Sequence, residues 1–301
     1  MTFAIIQLLV IQIVLPAYFI YELWRAKVKN RLDWIIILLF TITFAIWLFL
    51  SGRWDWTGYY FKYIWLILLI PAIYFSWQKT KDLPFRTTLK TGQKFSRGIY
   101  IFLLLVFGLY NLNIFSGYTT NDDAVDLAFP LQEGTYYIGH GGSSTQLNYH
   151  NTYEPQAYAV DIVALNNFGF RANGLYPKDL EKYEIYSHTL YAPCSGEVVE
   201  SGDGRPDMTP PEMDSENPFG NYVGIGCKET KADVYIAHMQ ENSVAVDKGD
   251  TIQEGQPIGA VGNSGNTSEP HLHIHAEKDS VGVPITFDGK FLTRNDLIRS
   301  H

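Results

Sequence analysis

The chain has 301 residues with 23 Lys+Arg against 31 Asp+Glu, and its charge is unevenly divided. Residues 1–118 hold 12 basic and 4 acidic side chains, whereas 119–301 hold 11 basic, 27 acidic and all 8 histidines. Net charges of +8 and −16 argue for two modules in different surroundings, and against nucleic acid as a partner, because phosphate binding needs clustered Lys and Arg.

Four apolar stretches fill the first half: Phe3–Tyr21, Trp34–Leu50, a segment around Tyr63–Trp77, and Ile99–Phe115. Each is near the ~20 residues a helix needs to cross a bilayer, the third only if Tyr59–Phe61 extend it. None has the polar face of a soluble amphipathic helix. Trp24, Trp34, Trp54, Trp56 and Trp77 sit at segment ends, where indoles anchor helices at an interface. Arg25, Lys27, Lys29 and Arg31 follow the first stretch, and six basic residues from Lys79 to Arg97 follow the third. The second connection offers only Arg53 and Lys62, with Asp55 beside them. The positive-inside rule therefore puts the first and third connections in the cytoplasm and both chain ends outside. The first span lacks the basic leader and small-residue cleavage site of a signal peptide and is read as retained.

After an acidic linker, set at 119–130 with Asn121–Asp126 at its centre, the pattern changes to short β-branched and aromatic runs broken by Gly, Pro, Asn and Asp. Expected strands are Tyr136–Ile138, Tyr158–Ala164, Gly196–Glu200, Tyr222–Gly226, Asp233–His238 and His271–Ala276. One helical turn is expected around Pro177–Lys182. Asp203–Phe219, with four prolines and five acidic residues, reads as a solvated loop between two strands. The fold class is thus α + β in separate domains: a four-helix transmembrane region over 1–118 and a mainly antiparallel β domain over 131–301.

Both cysteines, Cys194 and Cys227, flank the hairpin this loop would close. Pairing Val198 with Val223 would set them opposite one another. A disulfide suits an extracytoplasmic compartment, and two free buried thiols are the alternative.

Pro270-His271-Leu272-His273-Ile274-His275 is the most informative run. On a strand, His271, His273 and His275 share a face, and clustered neutral imidazoles are common metal ligands. Val234-Tyr235-Ile236-Ala237-His238 places another histidine at a strand end. With YAVDIV, APCSGEVVESG, FGNYVGIG, YIAHM and VDKGDTIQEGQPIGAVGNSGNTSEPHLHIH in this order, the chain resembles the lysostaphin/LytM-type zinc metallopeptidases over about 140 residues of its second half.

That resemblance implies a zinc ion held by a histidine and an aspartate from an early motif plus the second histidine of the late His-x-His. It makes Asp161 and His273 ligands, and His238 and His271 the catalytic pair that polarises water and stabilises the oxyanion. Three protein ligands leave a fourth position open. The family's usual His-x-x-x-Asp is broken here by Ala157, so the first ligand is expected from His150, with His140 the alternative. A branch with Asn-x-His ahead of Gln-x-Tyr-Ala-x-Asp is similar to Asn148–Asp161. His188 and His301 read as solvent-facing, and Gly139–Gly142 and Gly262–Gly265 as β-turns. His275 could line the cleft or reach a carboxylate among Asp126, Glu154 and Glu277.

The function implied is a zinc endopeptidase of a bacterial cell membrane, multi-pass, with its N-terminus and catalytic domain outside. Its partners would be the lipid bilayer and peptidoglycan or another extracytoplasmic peptide. The alternatives are a degenerate domain of the same fold regulating a cell-wall enzyme, and a peptidase for an exported or membrane peptide. The sequence leaves the oligomeric state open.

Overall fold

The computed structural model describes residues 2–120 and 122–300. It separates into two compact units: one comprises 1–52 and 60–115, the other Arg53–Tyr59 and Ser116–His301.

In the first unit, four helices among the described residues are long and apolar enough to cross a membrane: Phe3–Arg25, Arg31–Ser51, Tyr59–Thr80 and Thr91–Ser116. A π-helical turn at Val10–Val14 interrupts the first. Asn30 caps the second, its side chain accepting from the Asp33 amide at 2.9 Å. The 3-10 turn Tyr59–Phe61 runs into the helix Lys62–Thr80, supplying the extension the third stretch needed. Edge-to-face rings pack this unit, with Phe19 4.7 Å from Phe40 and Phe44 5.1 Å from Phe107. Phe3, Ile67, Ile70 and Phe102 are nevertheless largely exposed, an arrangement compatible with helices in a membrane.

The second unit is mainly antiparallel β. A nine-stranded sheet has Val160–Ala164, Leu272–Lys278, Asp233–Met239 and Asn221–Cys227 as successive central neighbours, flanked by Gly134–His140 on one side and Gly196–Gly202 on the other. Alternation along these strands decides which face is which. Val160, Ile162, Ile236, Leu272, Ile274 and Ala276 enter one apolar core. Asp161, His273 and His275 point to the opposite side and are buried there.

All six expected strands form, most a residue or two longer than anticipated, and the helical turn appears as a 3-10 turn at Leu180–Lys182. Three expectations are corrected. First, Val198 pairs with Ile225 and Gly196 with Cys227, two positions from the expected register, and a bulge between Val198 and Glu200 shifts the pairing by one more residue toward the hairpin loop. Cys194 and Cys227 are still bridged, with Cα atoms 5.8 Å apart. Second, the Asp203–Phe219 loop is tied down rather than merely solvated: Asp207 accepts from the Asn263 amide at 2.6 Å and from the Tyr186 hydroxyl at 3.0 Å. Third, His188 is half-buried, 3.1 Å from the Tyr136 hydroxyl. Within the stretch read as a linker, Val125–Leu127 forms a strand parallel to Ile285–Phe287. His301 and Asn121 lie outside the described residues.

Candidate metal centre and catalytic cleft

Asp161 and His273 are direct cross-strand partners. The register puts the His273 Nδ1 atom 2.9 Å from Asp161 Oδ1. His150 arrives from a different direction, on the 3-10 turn Tyr149–Thr152. Its Nε2 stands 3.1 and 3.0 Å from the two Asp161 oxygens.

That turn is held by Asn148, which is fully buried. The Asn148 side-chain oxygen accepts from the His150 amide at 3.2 Å, and its NH2 donates to the carbonyls of Gly142 and Ala159 at 3.2 and 2.9 Å. The Tyr149 ring covers His150 at 3.9 Å. This is the physical content of the Asn148-Tyr149-His150 pattern: a buried amide fixes a loop so that an imidazole reaches the sheet. His140, on the neighbouring strand, has Nδ1 only 2.6 Å from Arg294 Nη2, which donates to it. His150, Asp161 and His273 form a group able to hold a metal ion, and His238, His271 and His273 form a second.

The remaining hydrogen bonds fix the ring tautomers. His238 Nδ1 donates to the Ser264 carbonyl at 2.9 Å, and His271 Nδ1 to the Glu269 carbonyl at 2.9 Å. With Nδ1 donating, each ring turns its Nε2 edge inward. The two rings are 5.0 Å apart, and His238 is 5.7 Å from His273. His271 Nε2 is buried with no hydrogen-bond partner, 3.7 Å from Asp161 Oδ1. His238 takes φ +59°, a left-handed conformation that non-glycine residues adopt at a cost of ~1–2 kcal/mol and that recurs at functional sites.

His275 does not line the cleft. Its ring stacks on Tyr235 at 5.3 Å, with Nδ1 3.1 Å from His273 Nε2 and Nε2 3.2 Å from Glu277 Oε1. Glu277 is thus the carboxylate that His275 meets, while Asp126 binds Thr286 and Gly289 elsewhere. If His275 donates to Glu277, its Nδ1 accepts from His273 Nε2 and His273 turns an Nδ1 lone pair toward Asp161; in the reverse order the lone pair of His275 Nε2 faces Glu277 instead. In the first arrangement two acceptors stand 2.9 Å apart, a contact that a cation between them would relieve. The donor set, two imidazole nitrogens and a carboxylate oxygen, suits zinc.

Burial pushes the Asp161 carboxyl up, but His150 and His271 outweigh it and hold the group well below the usual carboxylate range. Burial pushes His273 down to about 3, against the pull of Asp161. Burial and the adjoining His271 and His273 rings lower His238 well below its ordinary value. Burial followed by Arg294 does the same for His140. These rings are neutral at pH 7, and the lone pair at His140 Nδ1 is already taken by Arg294.

The centre opens into a cleft of about 370 Å³ whose lining includes Arg53, His140, Tyr149, Asp161, Glu269 and His271. Sequence reasoning did not anticipate Arg53, Tyr149, Glu269 or Met213 in this lining. The only available signal was the Arg53–Asp55 spacing in an otherwise apolar half.

An antiparallel sheet thus carries a His/Asp cluster able to hold a metal ion on one buried face, under an open cleft. Residues 183–285 match the model of Peptidase family M23, and the chain carries an M23 domain there. His150 and Asp161 lie ahead of the matched stretch. Two curated relatives come from Vibrio cholerae serotype O1. Peptidoglycan DD-endopeptidase ShyA is 32% identical over 148 residues, covering 48% of this chain and 31% of that protein. Peptidoglycan DD-endopeptidase ShyC is 34% identical over 101 residues, covering 31% and 22% respectively. The chain thus spans a third or less of the relatives it matches. Among solved structures, a zinc-containing peptidase from Vibrio cholerae aligns with 17% identity and a TM-score of 0.34, over 54% of this chain and 39% of that one. Lysostaphin aligns with 22% identity and a TM-score of 0.27, over 41% of this chain and 39% of that one.

Proposed function

We propose that this protein is a membrane-anchored zinc endopeptidase that hydrolyses peptide cross-links of peptidoglycan outside the cytoplasm. The observation that carries the reading is the buried Asp161 carboxylate, met by His150 and His273 and faced by the unpartnered Nε2 of His271. His150, Asp161 and His273 would hold the ion. Zinc there supplies Lewis acidity, polarising a peptide carbonyl and lowering the pKa of an attacking water toward ~7.

The chain's own groups do the rest. His271 Nε2, aimed by the Glu269 carbonyl, accepts the water's proton. His238 Nε2, aimed by the Ser264 carbonyl, faces the same space. An imidazole that has taken a proton becomes a donor, able to stabilise the oxyanion or protonate the leaving amine. The curated relatives' names, both DD-endopeptidases, support a D,D cross-link as the scissile bond.

Orientation follows from charge: the basic connections after the first and third helices would face the cytoplasm. Arg53–Tyr59 and Ser116–His301 form one compact unit, which supports placing both on the same, outer side. The net charge of −16 over 119–301 favours one other substrate, a peptide of an exported or membrane protein, because anionic wall polymers repel an acidic domain.

The test is cleavage of a cross-linked muropeptide dimer by the zinc-loaded full chain in detergent micelles, with metal content measured alongside. Cleavage abolished by chelation and restored by zinc supports the proposal. A stoichiometrically loaded chain that leaves every wall peptide intact sinks the peptidoglycan reading.

A further inference from the structure

Arg53–Tyr59 joins the second and third membrane-length helices in sequence, yet it belongs to the catalytic unit. It is built in firmly. The Tyr59 amide donates to the Gly169 carbonyl at 2.8 Å, and the Arg171 amide to the Asp55 carbonyl at 3.2 Å. Trp54 and Asp55 are fully buried. The Trp56 indole lies under the Arg171 guanidinium at 3.9 Å and stacks on Tyr176 at 5.0 Å. Gly58, at φ +96°, lies so close to the Phe170 ring that a Cβ there would come within 3.0 Å of it.

The polar contacts of this segment lead to the cleft. Arg53 makes a two-pronged pair with Asp55, at 3.0 and 2.8 Å, and its Nη2 also donates to Glu269 Oε1 at 3.2 Å. Arg171 Nε donates to the other Glu269 oxygen at 2.7 Å and lies 3.7 Å from Asp55. Two guanidiniums and two carboxylates thus alternate in one network, buried except for the half-buried Arg53, and half of it is supplied from between the helices. Glu269 immediately precedes Pro270, which restricts its backbone. The Glu269 carbonyl accepts from His271 Nδ1 at 2.9 Å and from the Thr267 hydroxyl at 2.8 Å.

We infer that Arg53–Tyr59 is a positioning element of the peptidase site: the Arg53–Asp55 pair fixes Glu269, and Glu269 fixes the tautomer and direction of His271. The inference rests on the peptidase reading, with His271 as proton acceptor. It gives the membrane region a chemical part in catalysis, since the element that aims the base is spliced between two of its helices. A guanidinium in a fork with one carboxylate cannot be replaced by a point charge without loss of direction.

The experiment compares the zinc-loaded full chain with Arg53→Ala, Glu269→Gln and the double variant, on a cross-linked muropeptide dimer. We expect kcat to fall ~10–100-fold in Arg53→Ala, as a misaimed catalytic group allows, with KM within about twofold and zinc retained. The double variant should cost no more than the worse single, because both act on one contact. An unchanged kcat overturns the inference, as does a rise in KM alone, which would make Arg53 a substrate-binding residue. If Arg53→Ala loses zinc or misfolds, Arg53→Lys is read by the same outcomes. One readout is independent of turnover: the His271 Nδ1 proton should be a resolved NMR resonance in wild type and broaden by exchange in Arg53→Ala. Its persistence in the variant overturns the positioning role even if the wild type cleaves nothing, an outcome that would separately sink the peptidase reading.

Discussion

His273 and Asp161 face each other across adjacent antiparallel strands, 112 residues apart in sequence, with Nδ1 2.9 Å from Oδ1. The far side of the same imidazole contacts His275, which in turn contacts Glu277. A ring anchored at Nε2 has its Nδ1 direction set before any ion arrives. The candidate metal centre therefore depends on strand register, and His150 is the one proposed ligand that depends on a loop.

Ligand removal should separate the two early histidines. Asp161→Asn, His273→Ala and His150→Ala are expected to lower zinc affinity by ~100-fold or more, since a catalytic site needs all three protein ligands. His140→Ala should stay stoichiometric, because that ring is engaged with Arg294. Metal analysis of the purified variants checks this, and full zinc in His150→Ala would overturn the assignment.

The proposed catalytic pair should behave differently. His238→Ala and His271→Ala are expected to keep zinc while kcat drops ~10²–10⁴-fold, the usual worth of a positioned proton acceptor or donor. Steady-state kinetics at saturating zinc decides it; loss of metal from either variant would make that residue a ligand.

Glu277→Gln should weaken zinc binding by ~10–100-fold without touching the cleft, because it removes the end of the chain that orients His273. Competition with a chromogenic chelator measures the change. An unaltered affinity would reduce the His275–Glu277 contact to packing.

Acid should destabilise the metal-free protein. The folded pKa values of His238, His273 and His140 are all depressed, His273 to about 3, mainly by burial. A histidine neutral in the fold and free to protonate when unfolded contributes its full stability above the unfolded pKa. That contribution falls as pH drops from about 6.5 toward the folded value, on the order of 1 kcal/mol per unit per ring. Melting curves at pH 7 and pH 5 after chelation should show the loss, and bound zinc should reduce it.

Cys194 and Cys227 close a loop with a sequence separation of 33. The chain-entropy model puts the loss on replacing both by serine at about 3–4 kcal/mol. Thermal unfolding of the double variant, beside wild type with and without reductant, gives the value. An unchanged melting temperature would mean that the bridge adds nothing to stability.

Much of this was legible before folding because it depends on local pattern. Apolar length identified four helices, and alternation at Leu272-His273-Ile274-His275 assigned one face to the core and one to imidazoles. What failed was register: Val198 pairs with Ile225 rather than Val223, and the bulge at Val198–Glu200 adds one unpaired residue beyond it. A bulge leaves no periodic trace, since both flanking runs still alternate.

The sequence alone determined the two modules, the membrane-length helices, the strands and the Pro270–His275 run. Each is written in the spacing of neighbouring side chains. The tertiary structure alone decided that His150 meets Asp161, that His275 looks away toward Glu277, and that Arg53–Tyr59 belongs to the second compact unit. Those contacts join residues up to 216 positions apart, as Arg53 and Glu269 are. Buried charges must find partners wherever the chain brings them, so such pairings are set by the packed whole rather than by any stretch of sequence.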